Sequence, residues 1–362
     1  PDSQGTTDTD AQALSIVVTG GPTSPTYQMV SSDTETSTTS TSYANKVTLQ
    51  WTPDVADTWL ILGFAEYKAD SVDYSSSVRM QVDGVAEGVN TMMVKDASEY
   101  YSFAVSKVTS LTAAQHTITI DYCSSNAAQT TYIRRARIVA VRKASLEMYS
   151  SSADTEVGTT TALVDYVTLA FTPASSGDYL LIWTAESMGQ WSWRTFIQAR
   201  LNGAVLDEGQ LCSRADVNFD TFASFAVATL PASAQMVALS AYKEGAGFQN
   251  IRRCRVAAIR LSGDRFADYS SAADDTQTGT TSTTFVQKLS KSWTSGGTGT
   301  WLLLASARLN GIGGQASEAQ MQYNDSSTLA SPRRTFQADN EWKNAASVAA
   351  QDGDRPRVVL GG

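Results

Sequence analysis

Histidine is nearly missing from this chain. His116 is the only one, so a nucleophile–histidine–acid triad has one place to form. It opens the stretch HTITIDY, and the next copy of the unit described below has Gln235 or Met236 nearby, so the unit does not depend on an imidazole there. The GxSxG, HExxH, P-loop and GxGxxG patterns are absent. The expectation is a protein that is not an enzyme and uses no cofactor and no metal. Cysteine is scarce as well: Cys123, Cys212 and Cys254. An odd number without CxxC spacing is neither a disulfide framework nor a zinc site. Cys212 and Cys254 fall in the same unit, which leaves a pair or two buried thiols.

Charge is low, at 17% of residues against the usual quarter. Ser, Thr, Gly and Ala take its place, a composition that goes with β-rich extracellular and virion proteins. The net charge is -9, which excludes the broad basic footprint of a nucleic-acid binder. No apolar run approaches the ~20 residues of a membrane helix. No secretory signal is visible after Pro1.

What the sequence does have is repetition. SSDTETSTTSTSYANKVTLQWTP (31–53) matches SSADTEVGTTTALVDYVTLAFTP (151–173). Asp83-Gly84 answers to Asn202-Gly203, SFAV (102–105) to SFAV (224–227), and IRRARIVAVR (133–142) to IRRCRVAAIR (251–260). The shifts run from 118 to 122 residues. A third copy opens at SSAADDTQTGTTSTTFVQKLSKSWT (270–294) and continues through Trp301-Leu302-Leu303, with Asn324-Asp325 at the turn position and RVVL (357–360) where MVAL (236–239) stands. It stops before a third Ile-Arg-Arg strand.

Each copy reads as β-structure. VTLQW and VTLAF alternate with period two, as half-buried strands do. WLILGFA and YLLIWTA are continuous apolar runs, expected to be buried on both faces. SSVRMQVDG and TFIQARLNG end in hairpin signals. The expectation is an all-β chain of tandem jelly-roll-like β-sandwich domains, three repeats of about 120 residues with the third incomplete. The boundaries are 1–26 for an N-terminal extension, 27–145, 146–264, and 265–362 lacking its last strand. Two readings of that gap stay open. Either the chain continues past Gly362, or another subunit fills the gap with a strand, SIVV (15–18) being the candidate.

Two groups of residues stand out. Arg134, Arg135 and Arg137, with Arg252, Arg253 and Arg255 in the second copy, gather at the entry of one strand. Such arginines need carboxylates or solvent. Asp33, Glu35 and Asp121 are the nearby carboxylates. A structural salt-bridge cluster, an anion or glycan contact and a subunit interface are the alternatives. Trp191 and Trp193 in GQWSWRTF, Tyr74 at the equivalent place in the first copy, and Tyr100-Tyr101 are candidate interface or glycan contacts. The carboxylate pairs Asp207-Glu208 and Asp274-Asp275 sit in turn-like polar stretches. Asp33 with Glu35 and Asp154 with Glu156 lack the spacing of an EF-hand.

The unit resembles the tandem β-sandwich repeats of tailed-bacteriophage structural proteins: head fibres, decoration proteins and tail-associated fibres. More loosely it is similar to jelly rolls of the tumour-necrosis-factor and complement-C1q type. The resemblance covers residues 27–362. It rests on the Ser/Thr-rich opening, the Phe/Trp-Thr-Pro strand end, Tyr/Trp-Leu-Leu-Ile, Arg-Leu-Asn-Gly and the closing Ile-Arg-Arg strand. It implies a non-enzymatic virion or extracellular protein that forms a homo-oligomer and contacts other virion proteins. A glycan-binding adhesin with a cell-surface glycan as partner, and a self-polymerising filament subunit using strand donation, are the alternatives.

Overall fold

The computed structural model describes residues 7–18, 27–71, 74–93, 100–143, 146–189, 194–212, 219–261, 266–280, 287–292, 299–311, 316–323, 327–330, 333–335, 341–353 and 357–361. Among them every regular element is a strand. The chain opens with β1 (Thr7–Val18). The first sandwich follows: β2 (Tyr27–Ser32), β3 (Thr36–Thr38), β4 (Ala44–Trp51), β5 (Asp57–Ala69), β6 (Ser75–Val82), β7 (Val85–Met93), β8 (Tyr101–Leu111), β9 (His116–Ser124) and β10 (Thr131–Arg142). The second has β11 (Met148–Ala153), β12 (Val157–Gly158), β13 (Val164–Phe171), β14 (Gly177–Gly189), β15 (Arg194–Leu201), β16 (Ala204–Cys212), β17 (Asp220–Leu230), β18 (Gln235–Lys243) and β19 (Gln249–Arg260). The third has β20 (Phe266–Thr280), β21 (Gln287–Ser292), β22 (Gly299–Gly311), β23 (Ala316–Glu318), β24 (Gln320–Tyr323), β25 (Ser327–Ala330), β26 (Arg333–Thr335), β27 (Glu341–Gly353) and β28 (Arg357–Gly361).

Each sandwich has two antiparallel sheets with the same order. In the first they are β2-β10-β5-β8 and β4-β9-β6-β7; in the second, β11-β19-β14-β17 and β13-β18-β15-β16. This interleaving of early and late strands is the jelly roll. The hairpins β6–β7 and β15–β16 turn on Asp83-Gly84 and Asn202-Gly203, all four at positive φ (50°, 81°, 51° and 86°). A two-residue turn matched to strand twist requires that.

The strand register corrects one alignment. Trp59 faces Thr109 and Tyr179 faces Ala228, which makes Phe103, opposite Ala65, the equivalent of Phe222, opposite Ala185. The two SFAV tetrapeptides are therefore not equivalent; their likeness is a coincidence of composition within strands of equal length. RVVL does take the place of MVAL: Arg357 pairs with Ser292 as Met236 pairs with Ala170. Asn324-Asp325 lies outside the described residues.

The third sandwich is not short of a strand. Its sheets are β20-β1-β22-β27 and β21-β28-β24-β25. Strand β1, from the opposite end of the chain, occupies the slot that β10 and β19 fill in the other two. It pairs with β22 from Val18–Thr300 to Asp8–Asn310 and with β20 on its other side. Within the expected 1–26 extension, Thr7–Val18 is thus a strand of the third sandwich, and the boundary at 265 leaves that strand out of its domain. The reason is chain order: the last strand of the third unit is written first. In every case the strand in this slot leads directly to the first strand of the next sandwich. Five residues join β10 to β11, five join β19 to β20, and eight join β1 to β2. The three links make a ring.

The continuous apolar runs now have a reason. Along β5, Trp59, Ile61, Ala65 and Tyr67 enter the first sandwich. Their neighbours Leu60, Leu62 and Phe64 point the other way, into a cluster shared with Leu180 and Ile182 of β14 and Leu302 and Leu304 of β22. In the second sandwich Tyr179, Leu181, Trp183 and Ala185 fill the interior. Every second residue serves a domain core and the others serve a common axis where the three sandwiches meet.

Ala13 and Ala305 are register partners on β1 and β22. With the native cysteines replaced by alanine, an Ala13→Cys/Ala305→Cys chain should oxidise to a species of monomer mass on a non-reducing gel. A ladder of multiples would mean that β1 comes from another copy.

Candidate functional site

The Ile-Arg-Arg strands are built around a bulge. Arg134 faces Glu66 and Arg137 faces Phe64, so Arg135 and Ala136 together oppose Ala65. Arg135 has a φ of 48°, and Arg253, at the same place in β19, has 47°. A non-glycine residue rarely takes that conformation. A buried carboxylate holds it. Glu66 Oε2 accepts from Arg134 Nε at 2.8 Å and Arg135 Nη1 at 2.8 Å, and Glu66 is fully buried. In the second sandwich Glu186 Oε2 accepts from Arg252 Nε at 2.7 Å and Arg253 Nη1 at 2.8 Å.

Of the carboxylates named from sequence, Asp33 pairs with Arg137 at 2.6 Å. Asp121 pairs with Arg79 at 3.2 Å, and Glu35 accepts the Tyr100 hydroxyl. Glu66 and Glu186 were missed because each hides in an apolar run. The available signal was a carboxylate at one position of that run in both copies, where burial demands a partner.

The second cluster also stitches two domains together. Glu186 Oε1 accepts the Val89 N–H of the first sandwich at 2.7 Å. Arg253 Nη2 donates to the Ala86 carbonyl at 3.2 Å. Arg255 Nη1 donates to the carbonyls of Glu87 (2.6 Å) and Ser106 (2.9 Å), and its Nη2 meets the Glu87 carboxylate at 2.9 Å. Arg255 Nε reaches Asp154 at 2.9 Å, and Lys107 lies 3.2 Å from the same carboxylate. Nearby, Thr91 N donates to the Phe219 carbonyl at 2.9 Å.

The aromatic candidates separate. The Arg134 guanidinium lies 3.5 Å from the Tyr100 ring centre, and Arg252 lies 3.4 Å from that of Phe219, the equivalent residue. These cation–π contacts cap the bulges. Tyr101 is 1% exposed and packs 6.1 Å from Tyr67 inside the first sandwich. Tyr100 and Tyr101 are therefore structural and not open to a sugar ring; an apolar interior outcompetes solvent for them. Tyr74 is half-buried. Trp191 and Trp193 lie outside the described residues.

The remaining chemistry is structural too. His116 Nδ1 lies 2.6 Å from Asp83 Oδ2, clamping the hairpin turn. In the second sandwich the pair becomes Asn202 Nδ2 donating to Gln235 Oε1 at 2.8 Å, so an amide pair does the same task. Asp207 is buried on β16, and Asp274 pairs with Lys288 at 3.1 Å. Cys123 and Cys254 are buried free thiols, and burial pushes the Cys254 thiol up to about 12. Among the described residues no cluster of three or more metal-ligating side chains is found, and no helix is long and apolar enough to cross a membrane. On the common axis a cavity of about 50 Å³ is lined by Leu62, Phe64, Ile182, Phe225 and Leu304. Flanking hydroxyls satisfy each other, Ser106 with Thr184 at 3.0 Å and Ser224 with Ser306 at 3.1 Å.

No protein-family model and no curated protein matches the sequence. Solved structures with similarity include the tandem CBM51 modules of the family 98 glycoside hydrolase from Streptococcus pneumoniae (8% identity, 59% of this chain and 81% of that one, TM-score 0.18). They also include infectious bursal disease virus, Gt strain (8%, 100% and 83%, TM-score 0.26), and dimeric latent PorU of Porphyromonas gingivalis (9%, 93% and 32%, TM-score 0.25). At these scores the likenesses carry no argument about this chain.

Removing one partner of a buried ion pair costs roughly 3–5 kcal/mol. Glu186→Ala should fall in that range by urea unfolding and should exceed Glu66→Ala, because it also removes the acceptor of the Val89 amide of the neighbouring domain. Equal losses would mean that Glu186 does not couple the domains.

Burial works to raise the Asp154 carboxyl, but the hydrogen bond and charge of Arg255, with Lys107, outweigh it and hold the group below the usual range. A depressed carboxyl stabilises the fold above its unfolded value near 3.9, and that contribution is lost as pH falls through the lower folded value. The melting temperature should therefore drop below about pH 4, and Asp154→Asn should flatten that drop. An unchanged acid profile in the variant would remove Asp154 from the linkage.

Proposed function

We propose that this chain is a non-enzymatic structural protein of a virion, a capsid decoration protein or the head of a fibre, located on the outside of the particle. One observation carries the reading. Three sandwiches share a single apolar axis and a ring of strands, and their conspicuous ion pairs, buried glutamates and histidine serve the packing. The outward faces of the sheets away from the axis carry exposed polar residues, Thr48 and Gln50 on β4 and Thr168 on β13, interspersed with single exposed apolar ones such as Val85, Val164, Val205 and Met236. Such a head supplies rigidity and a solvated surface. Its partners are other virion proteins and further copies of itself. The resemblance to tailed-bacteriophage structural repeats points the same way.

The strand-donation filament is the second reading. The observation in its favour is that β1 sits in the third sandwich while being joined to it only through the rest of the chain. The ring of short links argues for the same chain as donor. The adhesin reading retains Tyr74 among the described aromatic candidates, and a glycan array without hits would remove it.

In a lysate of producing cells separated on a density gradient, the protein should co-sediment with particles, and a labelled antibody should decorate their surface in electron micrographs. A protein that is monomeric at high concentration and absent from any particle or filament would overturn the proposal.

A further inference from the structure

One register position carries opposite charge in the three sandwiches. In the first, Arg134 of β10 stands opposite Glu66 of β5. In the second, Arg252 of β19 stands opposite Glu186 of β14. In the third, Asp10 of β1 stands opposite Arg308 of β22. These positions are equivalent. Each lies six residues beyond Leu60, Leu180 or Leu302, whose own partners are Val141, Ile259 and Ile16. The cation has moved from the inserted strand to the receiving one.

The surroundings follow suit. β1 pairs with β22 without a register shift, so it lacks the bulge that gathers arginines in β10 and β19. Gln12 stands opposite Ser306, at the position of Arg137 opposite Phe64 and Arg255 opposite Thr184. Just past the ends of the first strands, Asp33 and Asp154 pair with Arg137 and Arg255, whereas Asp274 within β20 pairs with Lys288. In the third sandwich the basic residue stands on the receiving strand and the acidic one on the inserted strand.

A like-charged pair across two strands is destabilising, and more so where burial limits solvation. β1 in the first slot would set Asp10 against Glu66; in the second, against Glu186. This matters in time. During synthesis β1 is made before the first sandwich, which waits for residues 131–142 to complete its sheet. For that interval β1 is the strand available to fill the wrong slot. Domains fold as they emerge, and misassembly between similar domains is the characteristic failure of repeat proteins.

We infer that the Asp10–Arg308 position is the address that assigns the N-terminal strand to the third sandwich, and so directs closure of the ring. The slot is a strand-binding site that selects an acidic partner, and the first two are sites that reject it.

The test uses the full-length chain and limited proteolysis, read by mass as the rate of cleavage between residues 1 and 26. D10R and R308E should each raise that rate roughly tenfold or more, since cleavage follows the population of the undocked strand. The D10R/R308E double variant should return it to within about twofold of the parent, a residual difference typical of pair-swap cycles. D10N should shift the rate in the same direction by a smaller factor, which keeps the comparison available if D10R does not fold. Parent-like protection in D10R and D10N, or a double variant cleaved as fast as D10R, would overturn the inference.

Discussion

A sandwich one strand short exposes two rows of backbone groups, here on β20 and β22. Each buried and unpaired group costs about 1–3 kcal/mol, so an open slot eleven register pairs long is not a stable state. The slot has to be filled, and the strand that fills it precedes the first sandwich in the sequence. Everything larger follows from that requirement. Because β1 belongs to the third sandwich and leads into the first, the domains cannot separate as beads on a string. Loss of any one link opens the ring, and the packing of the first domain becomes a condition for the integrity of the third.

The central strands β5, β14 and β22 make that packing possible by serving two interiors at once. Alternate residues fill the sandwich and the shared axis. The three copies are not interchangeable at that axis. Thr184 and Ser306 hydrogen-bond to hydroxyls of the preceding sandwich, while the equivalent Phe64 is fully buried and has no hydroxyl to offer. A sequence free to exchange its units would not write three different contacts there. Each interface is specific to its two domains, which is what a chain of linked units permits and a homotrimer of one unit does not.

Much of this fold was legible in the sequence. Period-two strands, Asp-Gly and Asn-Gly turns and a unit of about 120 residues are local signals, and local signals set the strands. What failed was long-range. The SFAV tetrapeptides match letter for letter, yet register is set by cross-strand partners, and these align Phe103 with Phe222. Tyr100 and Tyr101 read as surface aromatics because sequence does not show that Arg134 covers one and Tyr67 packs on the other. The short run SIVV was visible as a donor, but only the last third of β1. The first two thirds, TDTDAQAL, share neither charge nor bulge with IRRARIVA. The feature that fits β1 to its slot is the feature that disguised it.

The same logic explains why the basic stretch is written twice and not three times. The bulge at Arg135 and Arg253 forces a left-handed residue into a strand, and its cost is offset by two guanidinium groups on one buried glutamate. That arrangement suits a strand that arrives on a short connection from the opposite sheet of its own sandwich, as β10 does from β9 and β19 from β18. β1 has no such tether in the third sandwich. A strand that must find its slot from a distance gains from a register that runs without a shift along the receiving strand β22. Charge then has to supply the selectivity that connectivity supplies elsewhere, and inversion of a single pair does so without disturbing the apolar half of the strand that meets the axis.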